Sequence, residues 1–253
     1  MARVAMGGFH AYSGSLLFSA IALGLAAVAQ RSPFFSTLDD DGRHAGVDAD
    51  AGEAGDYLLP WLAMLATSML TGAVSGGGAD PLYALRLVAA VAVLLRARGR
   101  LRSLAVAPES TAFALGALAF AAWLALATLA PAGESAAPWP AGALPLAVRA
   151  LGALAVIPLV EELAFRGYLA RRIVDRDFAR VGASRIGAVA IGLSAPAFGL
   201  LHDRVLAATV AGVFFGLALR RRGEVADAIA AHATTNALLL AWVAWSGRWD
   251  LWG

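Results

Sequence analysis

The chain has 253 residues, 60% of them hydrophobic, and a mean hydropathy of +0.70, which excludes an ordinary soluble domain of this size. All twenty basic residues are arginine and leave a formal charge of +2 against eighteen acids; gathered in a few loops, they mark membrane topology and not a nucleic-acid surface. With no cysteine, disulfides, thiolate metal sites and cysteine nucleophiles are excluded, so any catalytic chemistry must use oxygen and nitrogen groups.

In chain order, Met1 to His10 carries only Arg3 and lacks a small-residue cleavage site after a short apolar core, so the first apolar segment is expected to stay as a span. Eight apolar segments follow one another at 11–30, 57–75, 81–95, 110–131, 145–168, 186–201, 205–219 and 225–245. Each is read as a helix, because backbone amides in hydrocarbon must be satisfied within the segment. The expected fold is therefore all-α, a polytopic transmembrane helix bundle of about eight membrane segments. The third, sixth and seventh are short, as helices are when they lie buried among others or stop partway. Residues 1–56 read as an N-terminal span plus an acidic loop, with seven acids against two arginines between Arg31 and Asp56, and 57–253 as a multi-helix domain with its motif core at 145–245.

Three arginine clusters punctuate the chain: Arg96 to Arg102, Arg171 to Arg185, and Arg220 to Arg222. Two spans separate each from the next, so a single orientation puts all three in the cytoplasm, with both termini outside. The lysine-free, alanine-rich composition points to a GC-rich bacterial genome, hence a multi-pass protein of the inner membrane.

Against this apolar background a few polar residues stand out. The fifth segment places Glu161, Glu162 and Arg166 in or near the apolar layer, each at about 2.5 to 3.5 kcal/mol on insertion scales, and such residues are functional by default. Glu162 and Arg166 are four apart and can pair, whereas Glu161 projects about 100° away and is left to face a cavity, where a carboxylate is a natural proton acceptor. Pro158, three residues earlier, is expected to kink the helix and admit water. Phe198 with His202, and His232 with Asn236, are likewise spaced four apart. A lone histidine in an apolar helix more often serves as hydrogen-bonded glue. Here, however, both histidines share the C-terminal half with the chain's sole Glu-Glu pair; His44 sits in the acidic linker. Glu161 lies ten residues before Arg171 and His232 ten after Arg222, so both should sit about 15 Å from the cytoplasmic edge and meet near the midplane. His202 fits less well, about 25 Å along a straight helix, unless its segment starts late, tilts or breaks at Pro196.

Glu161-Glu162-Leu-Ala-Phe-Arg166, Phe198-Gly-Leu-Leu-His202 and His232-Ala-Thr-Thr-Asn236 together resemble the three ordered motifs of the CAAX-protease and bacteriocin-processing family of intramembrane glutamic endopeptidases, over roughly residues 110–245. The resemblance implies that Glu161 with His202 activates a water, that His232 with Asn236 stabilises the oxyanion, that Glu162 and Arg166 give structural support with Phe198 in its motif place, and that no cofactor or metal is required. It implies a membrane-anchored protein or peptide as partner within the lipid bilayer, and no nucleic acid. Gly7-Gly8-Phe9-His10 before a small-residue apolar helix resembles the tail of an exosortase, a family with a Cys-Arg-His site; the absent cysteine excludes that chemistry, and a protease part of an exosortase fusion is the reading implied.

Other functions use the same residues. Glu161, His202 and His232 could form a zinc site of two histidines and one carboxylate with an open position, although no His-Glu-x-x-His is present. A non-catalytic scaffold or immunity-type protein needs none of them to react. A proton-coupled transporter ranks below these, because no paired broken helices appear in matching halves.

Overall fold

A computed structural model describes residues 47–75, 81–102, 106–127 and 142–252. Chain contacts divide the protein into two compact units, 1–51 and 52–253. The expected span at 11–30 and the segment Gly7 to His10 lie outside the described residues.

Among the described residues there are seven long helices, three short 3₁₀ turns and no strand, as the apolar pattern requires. They are α1 (Val47–Ser75), α2 (Tyr83–Leu101), α3 (Ser110–Ala127), α4 (Ala143–Val174), α5 (Ala188–Gly199), α6 (Val205–Arg222) and α7 (Val225–Ser246). Of these, α3, α4 and α7 are long and apolar enough to cross a membrane. Against the expected count of about eight, three helices among the described residues satisfy both criteria. Arginines within α2 and at the end of α6 dilute those segments, and α5 is apolar but has only 12 residues. Many large apolar side chains of the helices, such as Leu70, Val88, Leu118, Val189 and Leu206, point outward, as a lipid-facing surface demands.

Helix packing here relies on small residues, because lipid removes the hydrophobic drive between helices. Gly212 and Gly216 of α6, four apart, bring that helix against Ala195 and Ile191 of α5. Gly116 of α3 does the same against α7: a Cβ there would lie 2.8 Å from the Thr234 side chain and closer still to the Ala231 carbonyl. The Thr235 hydroxyl donates to the Gly116 carbonyl at 2.9 Å and adds a polar tie across the same contact.

Both ends of the bundle are laced by arginine. At one end Arg171 donates to the Gly223 carbonyl at 2.7 Å, where α6 closes in a left-handed turn, and Arg222 pairs with Asp227 at 2.8 Å and reaches the Ala107 carbonyl at 3.0 Å. Beside them Glu109 accepts from the Thr111 hydroxyl and from Arg221, contacts that hold its carboxyl below the usual range. The second and third arginine clusters therefore share one end of the bundle with the segment that follows the first. At the other end Arg204 donates to the carbonyls of Ala127 and Asp250, at 3.4 and 3.0 Å.

The α3–α7 contact leaves no room for a side chain at Gly116. Gly116→Val is expected to destabilise the protein by about 1 to 3 kcal/mol, the usual cost of overpacking. Thermal unfolding in detergent measures it, and an unchanged midpoint would mean that α3 and α7 do not pack as closely as described.

Candidate active site

The central span α4 is not a uniform α-helix. Two π-helical turns, Gly152–Val156 and Leu163–Leu169, flank the short α-helical piece Ile157–Glu162 that carries both glutamates. Such turns are rare and concentrate at functional sites. The first has a chemical cause: the Ile157 N–H reaches the Gly152 carbonyl five residues back, and in that register the Ala153 carbonyl would look to position 158, a proline with no N–H. The Asn236 side-chain amide takes that place, donating to the Ala153 carbonyl at 2.9 Å. The expected kink at Pro158 is thus a widened helical turn, which opens a main-chain acceptor to α7.

Glu162 and Arg166 are both fully buried and pair at 3.1 Å. The second guanidinium nitrogen donates to the Gly212 carbonyl at 2.7 Å, and the guanidinium stacks 4.7 Å from the Phe198 ring centroid and 5.4 Å from that of Phe215. A Cβ on Gly212 would approach the same nitrogen to 2.9 Å, so the glycine lets the cation reach its carbonyl. Phe198 accordingly holds Arg166 and packs edge-on against His232, with centroids 5.6 Å apart.

The same Glu162 oxygen that meets Arg166 also accepts from Nδ1 of His232, at 2.9 Å. Because Glu162 is paired to a cation it acts as an acceptor, so His232 carries its proton on Nδ1 and turns Nε2 toward the cavity. Phe215 stacks on the imidazole at 4.6 Å and fixes its plane. Nε2 lies 4.0 Å from Oε2 of Glu161, and that oxygen is buried without a hydrogen-bond partner. A water at ordinary hydrogen-bond distance, about 2.8 Å, from each of the two fits over that gap. His202 stands just beyond the last turn of α5 with Nδ1 3.0 Å from the Phe198 carbonyl. A carbonyl only accepts, so Nδ1 donates and Nε2 keeps its lone pair. The helix α5 starts at Ala188, after two short 3₁₀ turns, which removes only about 4 Å of the excess in the depth estimate for His202.

Glu161, His202, His232 and Asn236 all line one cavity of about 400 Å³, within the usual range for ligand sites. Its wall also includes Tyr83, Arg149 and Asp203, which the motifs do not contain. Arg149 had a legible signal, since an arginine inside an apolar segment carries the same insertion cost that singled out Arg166; Tyr83 had none. Among the described residues no three His, Asp or Glu side chains are grouped so as to hold a metal ion.

The family model described as type II CAAX prenyl endopeptidase Rce1-like matches residues 143–238, a stretch that contains every motif residue named above. The match supports the CAAX-protease and bacteriocin-processing family. No curated protein and no solved structure matches the chain.

Removing one partner of a fully buried ion pair strands the other. Arg166→Ala should cost about 3 to 5 kcal/mol in detergent unfolding. Glu161→Gln, which replaces a group with an unpartnered oxygen, should change stability far less; equal losses in the two variants would contradict the division between a structural and a reactive glutamate.

Proposed function

We propose that this chain is an intramembrane endopeptidase, in which Glu161 is the general base that activates a water on the scissile carbonyl of a membrane-anchored precursor. The observation that carries the reading is the Glu161 carboxylate itself: buried, with Oε2 unpartnered, on the wall of a cavity that two histidines and an asparagine also line. A group so placed is costly in a membrane unless chemistry uses it.

In the proposed sequence, water approaches between Oε2 of Glu161 and the two imidazoles. Nε2 of His202, a lone pair by virtue of the Phe198 carbonyl on Nδ1, accepts a hydrogen bond from the water and orients it, while Glu161 takes the second proton as the oxygen attacks. Negative charge then develops on the carbonyl oxygen. One Asn236 amide hydrogen is committed to the Ala153 carbonyl, which leaves the other to donate to that oxyanion. His232 can donate only when Nε2 is protonated, because its Nδ1 proton is spent on Glu162. Glu161, 4.0 Å from Nε2, is the nearest source of that proton. His232 thus becomes a donor as the tetrahedral intermediate forms, and the leaving amine regains the proton when the C–N bond breaks. Glu162 and Arg166 take no part in the reaction; they set the position of His232.

The substrate is proposed to be a secreted or sorted precursor of the bacterial inner membrane, with the chain crossing that membrane several times. The family model's description refers to prenyl endopeptidases; the lysine-free, alanine-rich composition favours a precursor without a prenyl group.

Single-turnover cleavage of a membrane-anchored peptide tests this. Glu161→Gln should lower the rate by roughly 10²- to 10⁴-fold, as loss of acid–base catalysis does. Asn236→Ala should lower it by roughly 10²- to 10³-fold with little change in affinity, because the charge it meets exists only in the transition state. Cleavage by Glu161→Gln at the wild-type rate would falsify the assignment, a phenotype indifferent to both substitutions would favour a scaffold, and loss of activity on chelation with recovery on zinc addition would move the site to a metalloprotease.

A further inference from the structure

A second, smaller cavity of about 170 Å³ adjoins the catalytic one. Tyr83, Ile157 and Glu161 line both, so the two meet at the proposed base. Their chemistry differs. The larger holds the histidines, Asn236, Asp203 and Arg149, whereas Trp61, Met64 and Leu65 of α1, Leu87 of α2, and Leu201 wall the smaller. Arg86, the cation among the described residues of its rim, is turned aside: its Nε donates to the Thr71 hydroxyl at 3.3 Å and its guanidinium lies 5.3 Å from the Tyr83 ring centroid.

The partition between the cavities is preformed. Arg149 stacks on Tyr83 as well, at 4.9 Å, so cations approach the ring from two helices. The Tyr83 hydroxyl sits over Gly152 in the first π-helical turn, where a Cβ would come within 2.5 Å of it. The unusual helix that exposes the Ala153 carbonyl thereby also seats the tyrosine. Size limits the occupant: an apolar void of about 150 Å³ holds a benzene molecule, so this chamber takes one ring-sized or branched apolar group.

We infer that the chamber is a specificity subsite that takes the side chain of one large apolar residue, aromatic or branched aliphatic, directly flanking the scissile bond. The inference rests on Glu161 as the base, since the shared wall is what sets the chamber beside the reacting carbonyl. The larger cavity, whose wall mixes the histidines, Asn236 and Arg149 with Trp123, Phe215 and Leu239, then receives the peptide on the other side of that bond.

The test uses the full chain in nanodiscs of phosphatidylethanolamine and phosphatidylglycerol, with membrane-anchored peptides carrying Ala, Leu, Phe or Asp at each position flanking the cleaved bond. At one flanking position, and not the other, Leu and Phe should exceed Ala by roughly 10- to 100-fold in kcat/KM, the discrimination that burial of a large apolar side chain provides. Ser68→Leu, which fills the chamber, should bring the Leu-to-Ala ratio close to one, and Met64→Ala should raise the Phe-to-Leu ratio. A peptide bearing a diazirine leucine analogue at that position reads occupancy without turnover. It should label the Trp61 to Ser68 segment in both wild type and Glu161→Gln, and fail to label it in Ser68→Leu. Equal cleavage of all peptides, a Ser68→Leu effect that is the same for Leu and Ala, labelling elsewhere, or labelling of the segment by a diazirine phospholipid that the peptide does not displace would each overturn the inference. Glu161→Gln cleaving at the wild-type rate sinks the catalytic reading separately, because the labelling pattern still reports whether a peptide side chain enters the chamber.

Discussion

The arrangement of this protein depends on the ion pair between Arg166 and Glu162, buried to complete exclusion from solvent at the centre of the helices. Two charges in such a place depend on further hydrogen bonds and packing to offset their desolvation. The surroundings supply a main-chain carbonyl on α6 at Gly212, two aromatic faces against the guanidinium, and a histidine on the same carboxylate oxygen that meets Arg166. Gly212 and Phe215 come from α6, Phe198 from α5 and His232 from α7, so the pair ties α4 to all three. It also fixes the tautomer of His232, and through it what the cavity presents to a substrate.

A second constraint follows from one missing N–H. Pro158 cannot complete the ladder of α4, and the helix widens by one residue just before it. The carbonyl released at Ala153 is bound by Asn236, and the glycine that begins the widened turn admits the Tyr83 hydroxyl. One local defect therefore couples α2 and α7 to α4, about two turns before the two glutamates.

The two glutamates illustrate how position along a helix separates roles within one chemical type. They are adjacent in sequence and both buried, yet Oε1 of Glu162 is held by a cation and an imidazole inside the bundle, whereas Glu161 lines the cavity with Oε2 unpartnered. The rotation of about 100° between neighbours sends one into the bundle and the other to the cavity. The same logic divides the histidines, since each spends Nδ1 on an internal acceptor and offers Nε2 outward.

Much of this was legible from sequence alone. Apolar segment length demands helices, and the cost of ionisable groups in hydrocarbon marks Glu161, Glu162 and Arg166. Spacing of four pairs Glu162 with Arg166 and places His202 near Phe198, because one helical turn is a local property of the chain. What tertiary structure decided was every relation across helices. The bond from His232 to Glu162 joins residues 70 apart, the tie from Asn236 to Ala153 spans 83, and neither has any periodic trace in the sequence. The widening of α4 was visible only as a proline, since its form depends on which neighbour takes up the freed carbonyl. Tyr83 and the apolar chamber left no sequence signal, for an aromatic residue near the start of an apolar helix looks the same whether it faces lipid or a cavity. Local geometry is written in the order of residues, whereas the facing of helices is set by close approach at glycines and by buried charges that must find partners.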